Sequence, residues 1–160
     1  MRAAIVTIST SKAAGEGTDE SGPVLEGLAR ELGAQIVARE LLTDDRGAIE
    51  ATLRRLCDDE GVELVLTTGG TGLAPSDMTP EATRAVIERE IPGIAEAMRL
   101  ASRPHTAHWM LSRGVAGVRG RSLVVNFPGS PKSVGEVAGE LLPALVHALA
   151  LIAGTASPHA

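Results

Sequence analysis

Three glycines in four positions, Gly69, Gly70 and Gly72, end an apolar run in the stretch LVLTTGGTGLAPSDMTPEAT, residues 64–83. Glycine lets a backbone turn successive N–H groups toward one point with no Cβ in the way, and such a nest binds anions. Thr67, Thr68 and Thr71 add hydroxyls, and Asp77 is the lone carboxylate before a helix start at Thr79-Pro80-Glu81. The glycines alone leave two readings open: a phosphate cradle, or a tight turn leaving a buried strand. The loop is not a standard nucleotide fingerprint. A P-loop needs Gly-x-x-x-x-Gly-Lys-Ser/Thr, which is absent, and a dinucleotide loop needs a third glycine where Pro75 stands.

A second acid, Asp44, occupies another strand-to-helix link. Taken singly, Asp44 and Asp77 each read as a helix cap or first-turn acid. Beside a phosphate cradle they suggest more, because a carboxylate next to a polyphosphate is repelled unless a cation intervenes. Mg²⁺ typically binds through one or two carboxylates plus substrate phosphates. The pair therefore suits a magnesium–nucleotide site, with Asp44 and Asp77 as metal-binding and catalytic acids and Asp45 as a helix cap. The chain has thirteen arginines but only two lysines, Lys12 and Lys132, and both fall in the loops on that side. Lys132, at a helix start after Pro-Gly-Ser-Pro, is placed to neutralise phosphate. His105 and His108 have no third metal ligand nearby in the sequence, and Cys57 sits on an apolar stripe as a core residue.

The elements that must position these residues alternate. Ala3–Ser9 predicts a buried strand, followed by a long loop, Thr10–Ser21. A helix opens near Ser21–Pro23, capped by Ser21 or Gly22, with Leu25, Leu28, Ala29 and Leu32 on one stripe and Gly33 as its stop. Ala34–Leu42 predicts a second strand, and Ile49, Leu53, Leu56 and Cys57 mark a second helix that Gly61 closes. Val62–Thr68 is apolar enough to be buried on both faces. Helices follow from Thr79 and after Pro92-Gly93. Gly114–Val118 and Ser122–Asn126 flank Arg119-Gly120-Arg121 as a short hairpin. The last helix starts with Ser130 as cap and Pro131 at its first position, and Pro143 should kink or restart it. This order predicts a single α/β domain over residues 1–160: a three-layer α/β/α sandwich with a mostly parallel central sheet and a short C-terminal hairpin. In such sheets ligands bind beyond the carboxyl ends of the strands, where the four strand-to-helix loops gather.

Composition narrows the partners. With one Phe, one Trp and no Tyr, the core must be aliphatic, and the composition argues against binding that stacks bases on aromatic rings. A net charge of −5 argues against a nucleic-acid backbone binder. The single cysteine rules out an intramolecular disulfide and a cysteine-based zinc site. The N-terminal MRAAIVTISTSK turns polar too early for a secretory signal, and the apolar tract Ala144–Ala153 is too short to span a bilayer. The expected location is the cytoplasm, with no membrane partner.

The stretch Leu64–Thr83 closely resembles the signature of the molybdopterin-binding Mog/MoaB family of molybdenum cofactor biosynthesis, which includes molybdopterin adenylyltransferases and gephyrin-type G domains. Ser21-Gly22-Pro23, Asp44-Asp45-Arg46 and Pro128-Gly129-Ser130-Pro131-Lys132 agree with it in order, so the likeness covers nearly the whole chain. The resemblance implies a homotrimer, with a hexamer as the larger option, and Mg²⁺-dependent transfer of AMP from ATP to the terminal phosphate of molybdopterin with release of pyrophosphate. The product would pass to a molybdenum-insertion partner protein. It implies Asp44 and Asp77 as the metal-dependent catalytic acids. The pocket would be formed by Ser9, Thr68, Gly69, Gly70, Thr71, Gly72, Pro128, Gly129, Ser130, Pro131 and Lys132. One position departs: many members carry Ser-Asp after the first strand, and here Ser9 is followed by Thr10. A non-catalytic molybdopterin carrier or scaffold is the alternative this leaves, and a nucleotide-cleaving hydrolase of related fold is a third.

Overall fold

The computed structural model describes residues 1–156. Its strands are β1 (Arg2–Ile8), β2 (Gln35–Leu42), β3 (Leu64–Thr68), β4 (Arg89–Glu90), β5 (Ala116–Arg119) and β6 (Ser122–Phe127). Its helices are α1 (Thr10–Ala13), α2 (Ser21–Glu31), α3 (Arg46–Arg54), α4 (Thr79–Val86), α5 (Pro92–Ser102) and α6 (Pro131–Ala153). The strands form one sheet in the order β2-β1-β3-β6-β5-β4. The pairs β1–β2, β1–β3 and β3–β6 are parallel, whereas β5 and β4 run antiparallel to their neighbours.

Alternation along the strands feeds two cores, because successive side chains point to opposite faces. Ala3 and Ile5 of β1, Leu64 and Leu66 of β3, and Leu123, Val125 and Phe127 of β6 pack against α2, α5 and α6. Ala4, Val6 and Ile8 of β1, with Val65 and Val124, pack against Ile49, Leu53 and Leu56 on one side helix and Ala82 and Val86 of α4. Helices thus cover both faces, giving the expected α/β/α layers. Cys57 lies in this second core, and burial pushes its thiol pKa up.

From β1 the chain moves to β2 on one side, then crosses back to β3 on the other. The carboxyl ends of β1 and β3 therefore flank a topological switch point, where a crevice opens.

Several local features depart from expectation. The Thr10–Ser21 loop begins with the single turn α1, whose cap Ser9 accepts the Lys12 amide at 3.4 Å. The helix α3 runs on through one π-helical turn, Arg55–Asp59, before Gly61 ends it at φ +60°. A two-residue strand, β4, extends the sheet beyond the predicted hairpin. Pro143 does not restart the last helix: α6 is continuous for 23 residues. Leu141 and Leu145, on either side of the proline, are both buried against the sheet, which holds the helix across the missing N–H. The apolar tract at Ala144–Ala153 is thus part of a helix long and apolar enough to cross a membrane by length and composition. In this fold its Val134, Val137, Leu141 and Leu145 face is buried in the core.

Candidate active site

Leaving β3, the backbone enters the left-handed region at Gly69 (φ +97°) and Gly70 (φ +63°). A Cβ at Gly69 would overlap the carbonyl oxygen of Ile8, and one at Gly70 would overlap the Thr79 hydroxyl. The loop is therefore pressed against the end of β1 and the start of α4, an approach only glycine permits. Hydroxyls pin it there. Thr79 Oγ1 donates to the Gly69 carbonyl at 2.9 Å, and Thr68 Oγ1 donates to the Pro128 carbonyl at 2.6 Å. The Gly69 amide donates to the Phe127 carbonyl at 3.3 Å, whereas among the described residues the amides of Gly70, Thr71 and Gly72 find no acceptor.

The two acids meet this loop from different directions. Asp44 Oδ2 accepts from the Thr10 amide at 3.0 Å and from Thr10 Oγ1 at 2.7 Å, and the Asp44 amide donates back to Thr10 Oγ1 at 3.0 Å. The other oxygen, Oδ1, lies 3.1 Å from where a Gly70 Cβ would stand. Asp77 Oδ2 accepts from the Ala74 amide at 2.9 Å and lies 2.8 Å from where a Gly72 Cβ would stand. Asp44 and Asp77 line one cavity of about 290 Å³ at the carboxyl ends of β1 and β3. Ser9, Thr68, Gly69, Gly70 and Gly129 line it with them. Asp45 is the cap of α3, accepting the Ala48 amide at 2.7 Å.

The rest of the expected pocket is distributed around this cavity. Thr71 and Gly72 continue the loop, and Gly129 packs so close that a Cβ there would stand 3.2 Å from Gly69 Cα. Ser130 caps α6, accepting the Ser133 amide at 3.3 Å, and Pro131 is the first helical residue. Lys132 is 83% exposed, 3.8 Å from Glu136, and is not among the cavity's lining residues. His105 Nδ1 faces the same Glu136 at 3.6 Å, and no three-residue metal-ligand cluster occurs among the described residues.

Two contributors lie outside the expected pocket. Arg113 donates Nε to the Gly72 carbonyl at 2.7 Å and Nη2 to the Asp77 carbonyl at 2.8 Å, and pairs through Nη1 with Glu81. Its own amide donates to the Thr71 carbonyl at 2.9 Å. A planar guanidinium can tie several acceptors at fixed angles, and here it ties the glycine loop to the start of α4. Burial raises the Glu81 pKa, but the Arg113 bond and a backbone amide outweigh it and hold the carboxyl below its ordinary range. Nothing local in the sequence separates Arg113 from the other arginines. Asp19 accepts from Thr7 Oγ1 at 2.6 Å, Ser21 Oγ at 3.2 Å and the Gly22 amide at 3.0 Å. It thus does the capping work expected of Ser21 or Gly22, and an Asp three residues before the second residue of a helix is a signal the sequence does carry. Burial raises its pKa, and these hydrogen bonds, with Lys12 nearby, overcome that and lower it.

The arrangement brings two carboxylates, the hydroxyl-bearing Ser9 and Thr68, and Gly70 with its unpaired amide to one crevice. It can hold a phosphate chain together with a divalent cation. Residues 4–147 match the model described as "Probable molybdopterin binding domain". The chain is 44% identical over 115 residues to the molybdopterin adenylyltransferase of Helicobacter pylori strain J99, covering 72% of this chain and 65% of that protein, just under two thirds of its length. It is 41% identical over 138 residues to the molybdopterin adenylyltransferase of Escherichia coli K12, covering 85% and 71%. The crystal structure of the molybdopterin biosynthesis enzyme MoaB from Thermus thermophilus superposes with a TM-score of 0.90 at 46% identity, over 96% of each chain.

Proposed function

The chain belongs to the family of molybdopterin-binding domains, and on that premise we propose that it is a molybdopterin adenylyltransferase, moving AMP from ATP to the terminal phosphate of molybdopterin. The observation that carries this reading is the meeting of Asp44 and Asp77, from separate loops, in one cavity walled by Gly69 and Gly70. In the reaction an oxygen of the pterin phosphate attacks the α-phosphorus of ATP, the new P–O bond forms, and the bond to the β-phosphate breaks to release pyrophosphate.

The nucleophile is already anionic, so no general base is needed. The barrier lies in bringing two polyanions together, and the remedy is positioning and fixed opposite charge. The amides of Gly70, Thr71 and Gly72 would hold phosphate oxygens, with Ser9, Thr68 and Gly129 closing the pocket. The residues suit Mg²⁺: two carboxylates share the cavity and no all-protein cage exists among the described residues, which leaves coordination positions for substrate phosphates. Mg²⁺ would neutralise charge on the phosphates, and Asp44 and Asp77 would hold it directly or through water.

The test is transfer of label from ATP carrying radioactive phosphorus at the α-position to molybdopterin with Mg²⁺, with one pyrophosphate released per AMP transferred. Tight pterin binding with no transfer would instead select the scaffold reading. We also place the protein in the cytoplasm as a homotrimer that hands its product to a molybdenum-insertion protein. The exposed apolar side chains Val146 and Leu151 on α6 support self-association.

A further inference from the structure

We infer that Lys12, in the turn after β1, is the cation that binds the substrate polyphosphate in this cavity; the inference rests on the adenylyltransferase reading. Charge sets the requirement. Asp44 and Asp77 bring two negative charges to the lining, and among the described residues Lys12 is the one cationic residue there. A divalent ion only cancels the two carboxylates, and the ammonium is the charge that turns the crevice attractive to a polyanion.

The geometry keeps the ammonium available. Lys12 is anchored through its backbone: its amide donates to Ser9 Oγ at 3.4 Å and its carbonyl accepts from the Gly15 amide at 3.0 Å. Its side chain is 23% exposed, and Nζ stands 3.9 Å from Asp19 Oδ1, beyond direct hydrogen-bond distance. Asp19 meanwhile has its own donors in Thr7, Ser21 and Gly22. It therefore holds the ammonium near the cavity mouth by charge without consuming its three N–H donors, which remain free for phosphate oxygens. Lys132, the other lysine, is mostly solvated and lies beside Glu136 outside the lining.

The experiment measures ATP affinity by calorimetry on the intact chain, in EDTA and again with Mg²⁺, for wild type, Lys12→Gln, Lys12→Arg and Lys132→Gln. Lys12→Gln should weaken ATP about tenfold at low salt, the gap should narrow at high salt, and Lys12→Arg should recover most of the loss. Unchanged affinity in Lys12→Gln, or a loss confined to Lys132→Gln, would overturn the inference. If wild type transfers AMP and Lys12→Gln binds ATP normally, only this inference falls. If wild type neither binds ATP nor transfers AMP, the adenylyltransferase reading falls and takes it along.

Discussion

At Asp44 one hydroxyl decides where a carboxylate points. Thr10 donates to Oδ2 through both amide and side chain and accepts the Asp44 amide in return, so Oδ1 is the oxygen left toward the glycine loop. The family likeness leads one to expect an acid at position 10, and from sequence alone its replacement leaves both a catalytic and a non-catalytic reading open. In the fold the hydroxyl orients the acid that remains. Thr10→Val keeps the shape and the backbone amide bond but removes both hydroxyl bonds, so AMP transfer should fall about tenfold, the worth of a hydrogen bond to a charged group, while Thr10→Ser should stay near wild type. Equal rates in both would show that the contact does not position Asp44. The placement of Asp44 and Asp77 at one rim is legible in the sequence, because each follows a strand of a mostly parallel sheet. The Thr10–Asp44 contact is not, because it spans 34 positions and depends on the parallel pairing of β1 with β2.

Among the elements, the segment from Gly69 to Met78 has no regular structure and is held mainly from outside. Thr79 and Arg113 hold its carbonyls, and Arg113 reaches it from the chain just before β5. Arg113→Gln keeps some hydrogen-bonding capacity but loses the charge and the fork. It should lower kcat by about tenfold and speed amide exchange across Gly70–Ala74, by the loss of about 1–3 kcal/mol of charged hydrogen bonding. Arg113→Lys should fail to restore the rate, because one ammonium cannot span two carbonyls and a carboxylate at fixed angles. A normal rate with either variant would remove Arg113 from the positioning of Asp77. The start of α4 can be read from Thr-Pro-Glu and the hairpin from Arg-Gly-Arg, since both are local turn chemistry. The strand β4 cannot, because two residues show no periodicity, and Pro143 misleads because tertiary packing of Leu141 and Leu145 overrides its local preference.

For the whole molecule, strand order places the chemistry. The placing of β2 and β3 on opposite sides of β1 opens the crevice at the ends of β1 and β3, and both acids reach it on the loops that follow β2 and β3. Alternating strands and helices make the layers predictable, whereas strand order and the crevice itself require coordinates. A different surface carries a groove in which Ile91, Val118, Ala148, Leu151 and Ile152 stand beside Arg89 and Glu90. The proposed homotrimer predicts a light-scattering mass three times the 16.5 kDa of one chain, and a monomeric mass at micromolar concentration would contradict it. The central claim, that two acids at one rim make a crowd of phosphates reactive, is tested most directly by Asp77→Asn. Transfer of labelled AMP to molybdopterin should fall by roughly two orders of magnitude or more while molybdopterin still binds with wild-type affinity. A wild-type transfer rate in that variant would contradict the account.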